Sequence, residues 1–379
     1  MTDVVILAAG QGTRLRPLTH DRPKSMLLAA GEPILHHLLS DLRDVGAQRI
    51  ILVVGHGHEA LQSYVGDGSR YGLKVEYIQQ SKQLGPGHAL FQARASIRGE
   101  WLVVLPADAW YAPSVLAALL DAETPALIQV PDARAARHGL PVIRGTEVVD
   151  LEPPGEHEPS THPSGGAYRM HRRILELLPG AQFQIPKAIQ ADIKGSDGWR
   201  AIPVPAKAYV DIVEVQDLLD LHARLLERIA TENEGTIEPG ARVVGKVRIG
   251  KGSVIRSGSI IEGPVVIGEH CDVGPCAVVQ PGTALRNQVR IGPFSLLSQC
   301  IVGSNATLGS HSRVARAYVD RGVELGSGCH IAGGQGAIVG ADAILGPDTR
   351  VEAGGAVGKS AKVAAGRAVT VVPDNGIAV

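Results

Sequence analysis

Ile237-Glu-Pro-Gly-Ala-Arg-Val243-Val-Gly-Lys-Val-Arg-Ile249-Gly-Lys-Gly-Ser-Val-Ile255 places an aliphatic side chain at every sixth position. The register runs on through Ile261, Ile267, Val273, Val279, Leu285, Ile291 and Leu297, eleven residues in phase counted from Ile237. Four positions after each lies a small or branched residue: Ala241, Val247, Ser253, Ser259, Val265, Cys271, Ala277, Thr283. The phase slips by one residue and resumes at Val302, Leu308 and Val314. It slips again before Val319, Leu325 and Ile331, and a last run covers Val339 to Val369. A period of six fits neither the 3.6-residue helix nor an alternating strand. It fits short strands joined by tight turns, each sending one aliphatic side chain into a narrow interior. Glycines such as Gly250, Gly268, Gly274 and Gly292 are expected to supply the turns.

This pattern resembles the hexapeptide-repeat family, whose fold is a left-handed parallel β-helix. Handedness follows from the resemblance alone and runs against the right-handed crossover rule. With three hexapeptides per turn, the span implies roughly seven turns stacked in one dimension.

The first half follows different rules. Val4 to Leu7 and Ile50 to Val54 read as buried strands. Ile34, Leu35, Leu38, Leu39, Leu42 and Val45 keep helical spacing, with Gly46 as the cap. Further strands are expected over Val75 to Ile78 and Trp101 to Leu105, with helices over His88 to Ile97 and Val215 to Ala230. Such alternation implies a mostly parallel, Rossmann-like α/β sheet. The expected domains are 1–230 and 231–379, with Thr231 to Gly235 as the link.

Composition narrows the function classes. A net charge of −1 leaves no basic excess for a nucleic-acid backbone. No apolar run is long enough to cross a bilayer, and the N-terminal stretch lacks a basic region before its apolar strand. A cytoplasmic protein is the expectation. Cys271, Cys276, Cys300 and Cys329 show no C-x-x-C spacing and read as free, mostly buried thiols. His36-His37 and His56-Gly-His58 read as solvated histidines.

The most informative stretch is Leu7-Ala8-Ala-Gly10-Gln-Gly12-Thr13-Arg14-Leu-Arg-Pro-Leu-Thr19, followed by Arg22-Pro-Lys24. Glycines leaving a strand end let backbone N–H groups approach a polyphosphate. Arg14 offers a bidentate anion partner and Lys24 a compact charge. No Gly-Lys-[Ser/Thr] follows, so this is no Walker A loop.

The whole string resembles the signature of sugar-1-phosphate nucleotidylyltransferases. That resemblance implies that Ala8, Gly10, Gly12 and Thr13 hold the nucleotide, that Arg14 faces the leaving pyrophosphate, and that Lys24 faces the reacting phosphates. Tyr77-Ile-Gln-Gln80 and Gln83 to Leu90 resemble the base-reading segment, with Gln80 and Gly85 as contacts. Asp108, ending Leu102-Val-Val-Leu-Pro-Ala-Asp108, and Asp211 of Tyr209-Val-Asp211 match the metal carboxylates, implying Mg²⁺. His138-Gly139, Leu151-Glu152-Pro153 and Gly165-Gly166-Ala-Tyr168 resemble sugar-pocket elements, with Gly139, Glu152 and Gly166 as contacts.

In the reaction so implied, a sugar 1-phosphate attacks the α-phosphorus of a nucleoside triphosphate and pyrophosphate leaves. The nucleophile is already an anion, so charge neutralisation and alignment replace a general base. UTP or dTTP with glucose or N-acetylglucosamine 1-phosphate is the first expectation, and mannose 1-phosphate with GTP the alternative. One departure stands out: Glu152-Pro153-Pro154 replaces the family's Glu-Lys-Pro, so a lysine for the sugar phosphate is missing. Arg144, Arg169 and Lys187 are the candidate substitutes. The loss also motivates a non-catalytic, regulatory nucleotide-sugar binder. In some relatives the β-helix is an acetyltransferase; His311 and His330 are candidate bases here, but the expected asparagine-rich loop is absent. A structural β-helix that assembles trimers, or dimers of trimers, is favoured.

Overall fold

A computed structural model describes residues 2–55, 57–153, 162–195, 198–331 and 333–379. By packing, the chain forms two units. One holds 1–12, 22–26 and 34–212; the other holds 13–21, 27–33 and 213–379.

The first unit is built on strands β1 (Thr2–Ala8), β2 (Arg49–Val54), β3 (Lys74–Gln79), β4 (Trp101–Pro106), β5 (Ala109–Tyr111), β6 (Ala126–Gln129), β7 (Leu140–Arg144), β8 (Glu147–Glu152), β9 (Ser164–His171), β10 (Arg200–Pro203) and β11 (Tyr209–Asp211). Nine of these make one sheet in the order β3-β2-β1-β4-β9-β6-β10-β8-β7. Strands β3, β2, β1 and β4 are parallel, whereas β9 runs antiparallel between β4 and β6. Helices α1 (Ile34–Asp44), α2 (His58–Val65), α3 (Pro86–Gln92), α4 (Pro113–Asp121), α5 (Ile174–Leu177) and α6 (Ile185–Gly195) accompany it. Two separate apolar clusters contain residues of β1 and β2, one with Val4 and Ile6, the other with Val5. A strand buried on both faces reads as a near-continuous apolar run, and β2 is apolar from Ile50 to Val54 after the paired Arg49 at its start. α3 stops at Gln92 and passes into a 3-10 turn, Ala93–Ala95, so the expected helix to Ile97 is shorter.

A charge network clamps the end of the sheet where β1 begins. Arg49, 5% exposed, donates to Asp3 at 2.7 Å and to Glu76 at 2.5 Å. Asp3 also accepts N–H groups of Arg98 and Gly99. The opposite end of the sheet stays open for ligands.

The second unit is a left-handed parallel β-helix. One face stacks nine strands, more than the expected seven turns supply. The link expected at Thr231 to Gly235 is already part of the coil, since Glu232–Asn233 pairs with the strand Val247–Ile249. Both residues are exposed, so no apolar signal marks the strand. The interior holds the six-residue aliphatic series from Ile249 onward. Buried hydroxyls serve the backbone: Ser253 Oγ donates to Gly268 C=O and accepts from Cys271 N–H.

Glycines of the turns play a different part from the expected one. At Gly250 a Cβ would sit 2.7 Å from the Gly268 backbone, so the residue is needed for close approach of successive coils. Left-handed backbone falls elsewhere in the turns, often on side-chain-bearing residues such as His270, Cys276 and Asn305. Cys271, Cys300 and Cys329 are buried free thiols, while Cys276 is exposed. His311 stacks on Phe294 with ring centroids 5.1 Å apart, and His330 Nδ1 lies 3.4 Å from Arg350.

The phase slips have a structural reason. Paired strands lie 18 residues apart early on (Val254 with Asp272), then 17 (Arg290 with Thr307), then 20 (Glu324 with Ile344). The changes occur at 298–301, 315–317 and 331–337, which share one corner of the coil. Helix α7 (Val215–Leu226) packs along that corner, within the second unit. Arg316 donates to Gln216, and a Cβ at Gly336 would sit 2.8 Å from Val215. His222 is the central tie: its Nδ1 accepts the Ala30 N–H at 2.8 Å and its Nε2–H donates to Gly282 C=O at 3.0 Å. Those bonds settle the tautomer.

The histidine pairs divide. His36 Nδ1 lies 3.1 Å from the Tyr64 hydroxyl and 3.2 Å from the Tyr71 hydroxyl instead of facing water alone, and His56 lies outside the described residues. Among the described residues no helix is long and apolar enough to cross a membrane.

His222→Ala strands two buried backbone groups and should cost about 2 kcal/mol or more. Calorimetry should show an unfolding transition lowered by roughly 4–8 °C. An unchanged profile would mean that α7 is held by apolar packing alone.

Candidate active site

Local sequence positions each wall of the site. Strand β1 ends at Ala8, and Gly10 and Gly12 leave it without side chains; a Cβ at Gly10 would meet nothing within 4 Å. That open volume belongs to a cavity of about 410 Å³. Ala8, Gly10, Gly12 and Lys24 line one side, Gln80 and Gly85 another, Asp108 and Gly166 the far wall. Eight of the residues singled out in the sequence therefore meet. Thr13 and Arg14 are not among the lining residues; both are exposed on the 3-10 turn Thr13–Leu15, which packs with the second unit. Gly139 and Glu152 also lie outside the lining, and Pro154 falls outside the described residues.

Gln80 is held by its neighbours. Its side-chain N–H₂ donates to Gly85 C=O at 3.1 Å and contacts His88 Nδ1 at 2.9 Å. The carbonyl oxygen of the same amide is left to accept from a ligand. Gln83 secures the glycine loop by donating to Ala9 C=O.

The two aspartates meet through a short antiparallel pair, β5 with β11. Asp211 stands opposite Ala109, and the Ile212 N–H donates to Asp108 C=O at 3.2 Å. Each carboxylate has its own cation. Lys24 Nζ lies 2.7 Å from Asp108 Oδ2. Arg137 grips Asp211 with two nitrogens, Nη2 to Oδ1 at 2.7 Å and Nη1 to Oδ2 at 2.5 Å. Burial alone would raise Asp108, but the Lys24 charge and hydrogen bond hold it below the usual carboxylate range. Asp211 goes the other way: burial pushes it up despite Arg137, and the Asp108 charge adds to the rise.

His138 sits beside this pair. Burial pushes it down to about 4, and the Arg137 charge acts in the same direction. Its ring packs on Gly166, where φ is +77° and a Cβ would lie 2.8 Å from Nδ1, so only glycine suits that position. The Tyr168 hydroxyl donates to His138 C=O at 3.1 Å.

Residues 3–228 match the nucleotidyl transferase family, and residues 243–372 match the GMPPB C-terminal domain. The chain belongs to the nucleotidyl transferase family. It is 28% identical to a glucose-1-phosphate thymidylyltransferase of Streptomyces griseus, over 79% of this chain and 83% of that protein. It is 31% identical to the bifunctional protein GlmU of Methanococcus vannielii, over 86% and 80%. A mannose-1-phosphate guanylyltransferase of Mycobacterium tuberculosis matches at 28% over 70% and 79%. A UDP-glucose pyrophosphorylase solved with UDP-glucose shares the fold, with a TM-score of 0.52 and 19% identity over 60% of this chain and all of that one. Nucleotidyl transferases of this family generally use a divalent metal.

The donor set fits a hard cation: two carboxylates from separate strand ends, with no thiolate near them. Asp108 spends only Oδ2 on Lys24, and Asp211 accepts a hydrogen bond from Arg137 through Oδ1, while its buried Oδ2 lies close to Arg137 without a hydrogen bond. Arg137 is the residue that the sequence reading missed. Its signal was slight, a cation just before His138-Gly139 in a stretch with other arginines. Of the proposed lysine substitutes, Arg169 is spent on the Leu119 and Leu120 carbonyls, and Arg144 and Lys187 do not line the cavity.

The low His138 value has a sign. Between pH 6.5 and 4 the folded imidazole stays neutral while the unfolded one gains a proton, so falling pH favours unfolding across that window. The thermal midpoint should drop from pH 6.5 towards 4, and His138→Gln should flatten part of that slope. Parallel slopes for both proteins would remove His138 from the account.

Proposed function

We propose that this chain transfers a nucleotidyl group from a nucleoside triphosphate to a sugar 1-phosphate and releases pyrophosphate. The observation that carries the reading is the convergence of Gly10, Lys24, Gln80 and Asp108 on one cavity at the ends of β1, β3 and β4. In this assignment the open space at Gly10 takes triphosphate oxygens, close to backbone N–H groups. Lys24, held by Asp108, is oriented to neutralise the charge that grows as the α-phosphorus is attacked. Asp108 and Asp211 would hold Mg²⁺, which when bound supplies Lewis-acid neutralisation of the phosphates. The assignment of Thr13 and Arg14 to the nucleotide phosphates rests on the motif alone.

The fixed Gln80 amide supports the choice of base. A carbonyl acceptor asks for an N–H on the base edge, which the imide of uracil or thymine provides; hence UTP or dTTP. Guanine N1–H meets the same demand. GTP with mannose 1-phosphate is the second reading, supported by the Mycobacterium relative and the C-terminal domain match. Glucose or N-acetylglucosamine 1-phosphate is the favoured acceptor. The flat faces of the β-helix are assigned to self-association, as a trimer or dimer of trimers.

Pyrophosphate release should be followed with Mg²⁺ for UTP, dTTP, GTP, ATP and CTP against a panel of sugar 1-phosphates. One pair should turn over, and Asp108→Ala should lower the rate at least ~10²-fold. A folded wild-type protein that binds nucleotide sugars yet turns over no pair would favour a regulatory binder.

A further inference from the structure

Resting on the transferase reading, we infer that Arg137 takes the place of the missing sugar-phosphate lysine and, until a sugar phosphate arrives, serves as the internal counter-ion of Asp211. Three observations converge on it. The chain has proline at the position where the family pattern has lysine, and none of Arg144, Arg169 and Lys187 lines the cavity. Lys24 and Arg137 supply the cationic side chains of the lining, and Lys24 is committed to Asp108. Arg137 joins a partly exposed position, 39% for its side chain, to a carboxylate only 1% exposed.

The guanidinium presents the same two-pronged face to a phosphate as to a carboxylate. It can therefore pass from Asp211, which it holds by one hydrogen bond and one close ionic contact, to the sugar phosphate. The transfer leaves Asp211 without its cation beside the Asp108 carboxylate, and a divalent ion answers that charge. Arg137 thus couples the two events. A sugar phosphate that draws the guanidinium away tightens metal binding at Asp211, and metal binding there tightens the sugar phosphate by the same factor. Arg137 sits on the 3-10 turn Ala133–His138, whose ends are set by the Asp132 cap and by Gly139. The change asks only for side-chain rotation.

The test uses the full-length chain and Mn²⁺ as the probe, titrated by electron paramagnetic resonance. The ligand is the sugar 1-phosphate that the wild-type protein turns over, or inorganic phosphate if it turns over none. In the wild type, that ligand should tighten Mn²⁺ binding several-fold. In Arg137→Ala, Mn²⁺ should bind more tightly without it, and the ligand should add nothing. The KM for the sugar 1-phosphate should rise at least ~10-fold, with the KM for the triphosphate within twofold, and Arg137→Lys should fall between. Mn²⁺ binding that is unchanged or weaker in Arg137→Ala overturns the inference, as does a rise confined to the triphosphate KM. Should Arg137→Ala fail to fold, Asp211→Asn replaces it. There the freed arginine should bind the sugar 1-phosphate more tightly by calorimetry, and equal or weaker binding overturns the inference. Failure of the transferase reading shows separately, as absence of turnover in the wild type.

Discussion

Two carboxylates at the end of one short strand pair set the terms for everything around them. Asp108 and Asp211 are brought together by β5 and β11, and the Asp108 charge raises the cost of ionising Asp211. Burial adds to that cost, so the chain must bring a cation to each. Lys24 comes from the segment after the glycine loop, Arg137 from the turn before Gly139. The electrostatic shape of the cavity follows: Lys24, Arg137 and Asp108 line it, each cation is paired with an aspartate, and a neutral imidazole packs on the glycine wall.

Such a balance requires a rigid frame. The sheet provides it by putting its structural charges at the opposite end, where Arg49 joins Asp3 and Glu76 across β1, β2 and β3. There Arg49 also donates to the Ser96 carbonyl, and Asp3 also accepts the Arg98 and Gly99 N–H groups. At the ligand end, the groups are paired only with one another. A charge whose sole partner is another side chain can change partners, whereas one also bonded to backbone carbonyls or amides is committed.

The β-helix shows the same trade between regularity and attachment. Its coils repeat wherever they meet only each other, because the Gly250 type of position lets backbone pack on backbone. They lose the repeat at the corner that carries α7, where the turns shorten and then lengthen to accept helix side chains. His222 supplies the partners for two backbone groups there that no coil neighbour satisfies.

Much of this was legible from the chain. Six-residue spacing determined the solenoid, since no other backbone geometry buries an aliphatic residue at that period. The apolar runs at Val4 and Ile50 and the helical spacing from Ile34 determined the α/β sheet, and the string from Leu7 to Lys24 located the phosphate end. Glu232–Asn233 escaped because an exposed first strand carries no apolar mark. Helix α7 was legible as a helix, but which body its apolar stripe covers is a matter of packing. Arg137 escaped for a related reason. Its meaning lies in a partner 74 residues away, reached only because two strands pair antiparallel and set Asp211 beside the cavity. Sequence spacing reports what one segment does with its own backbone, and the meeting of distant charges is decided only when the chain has folded.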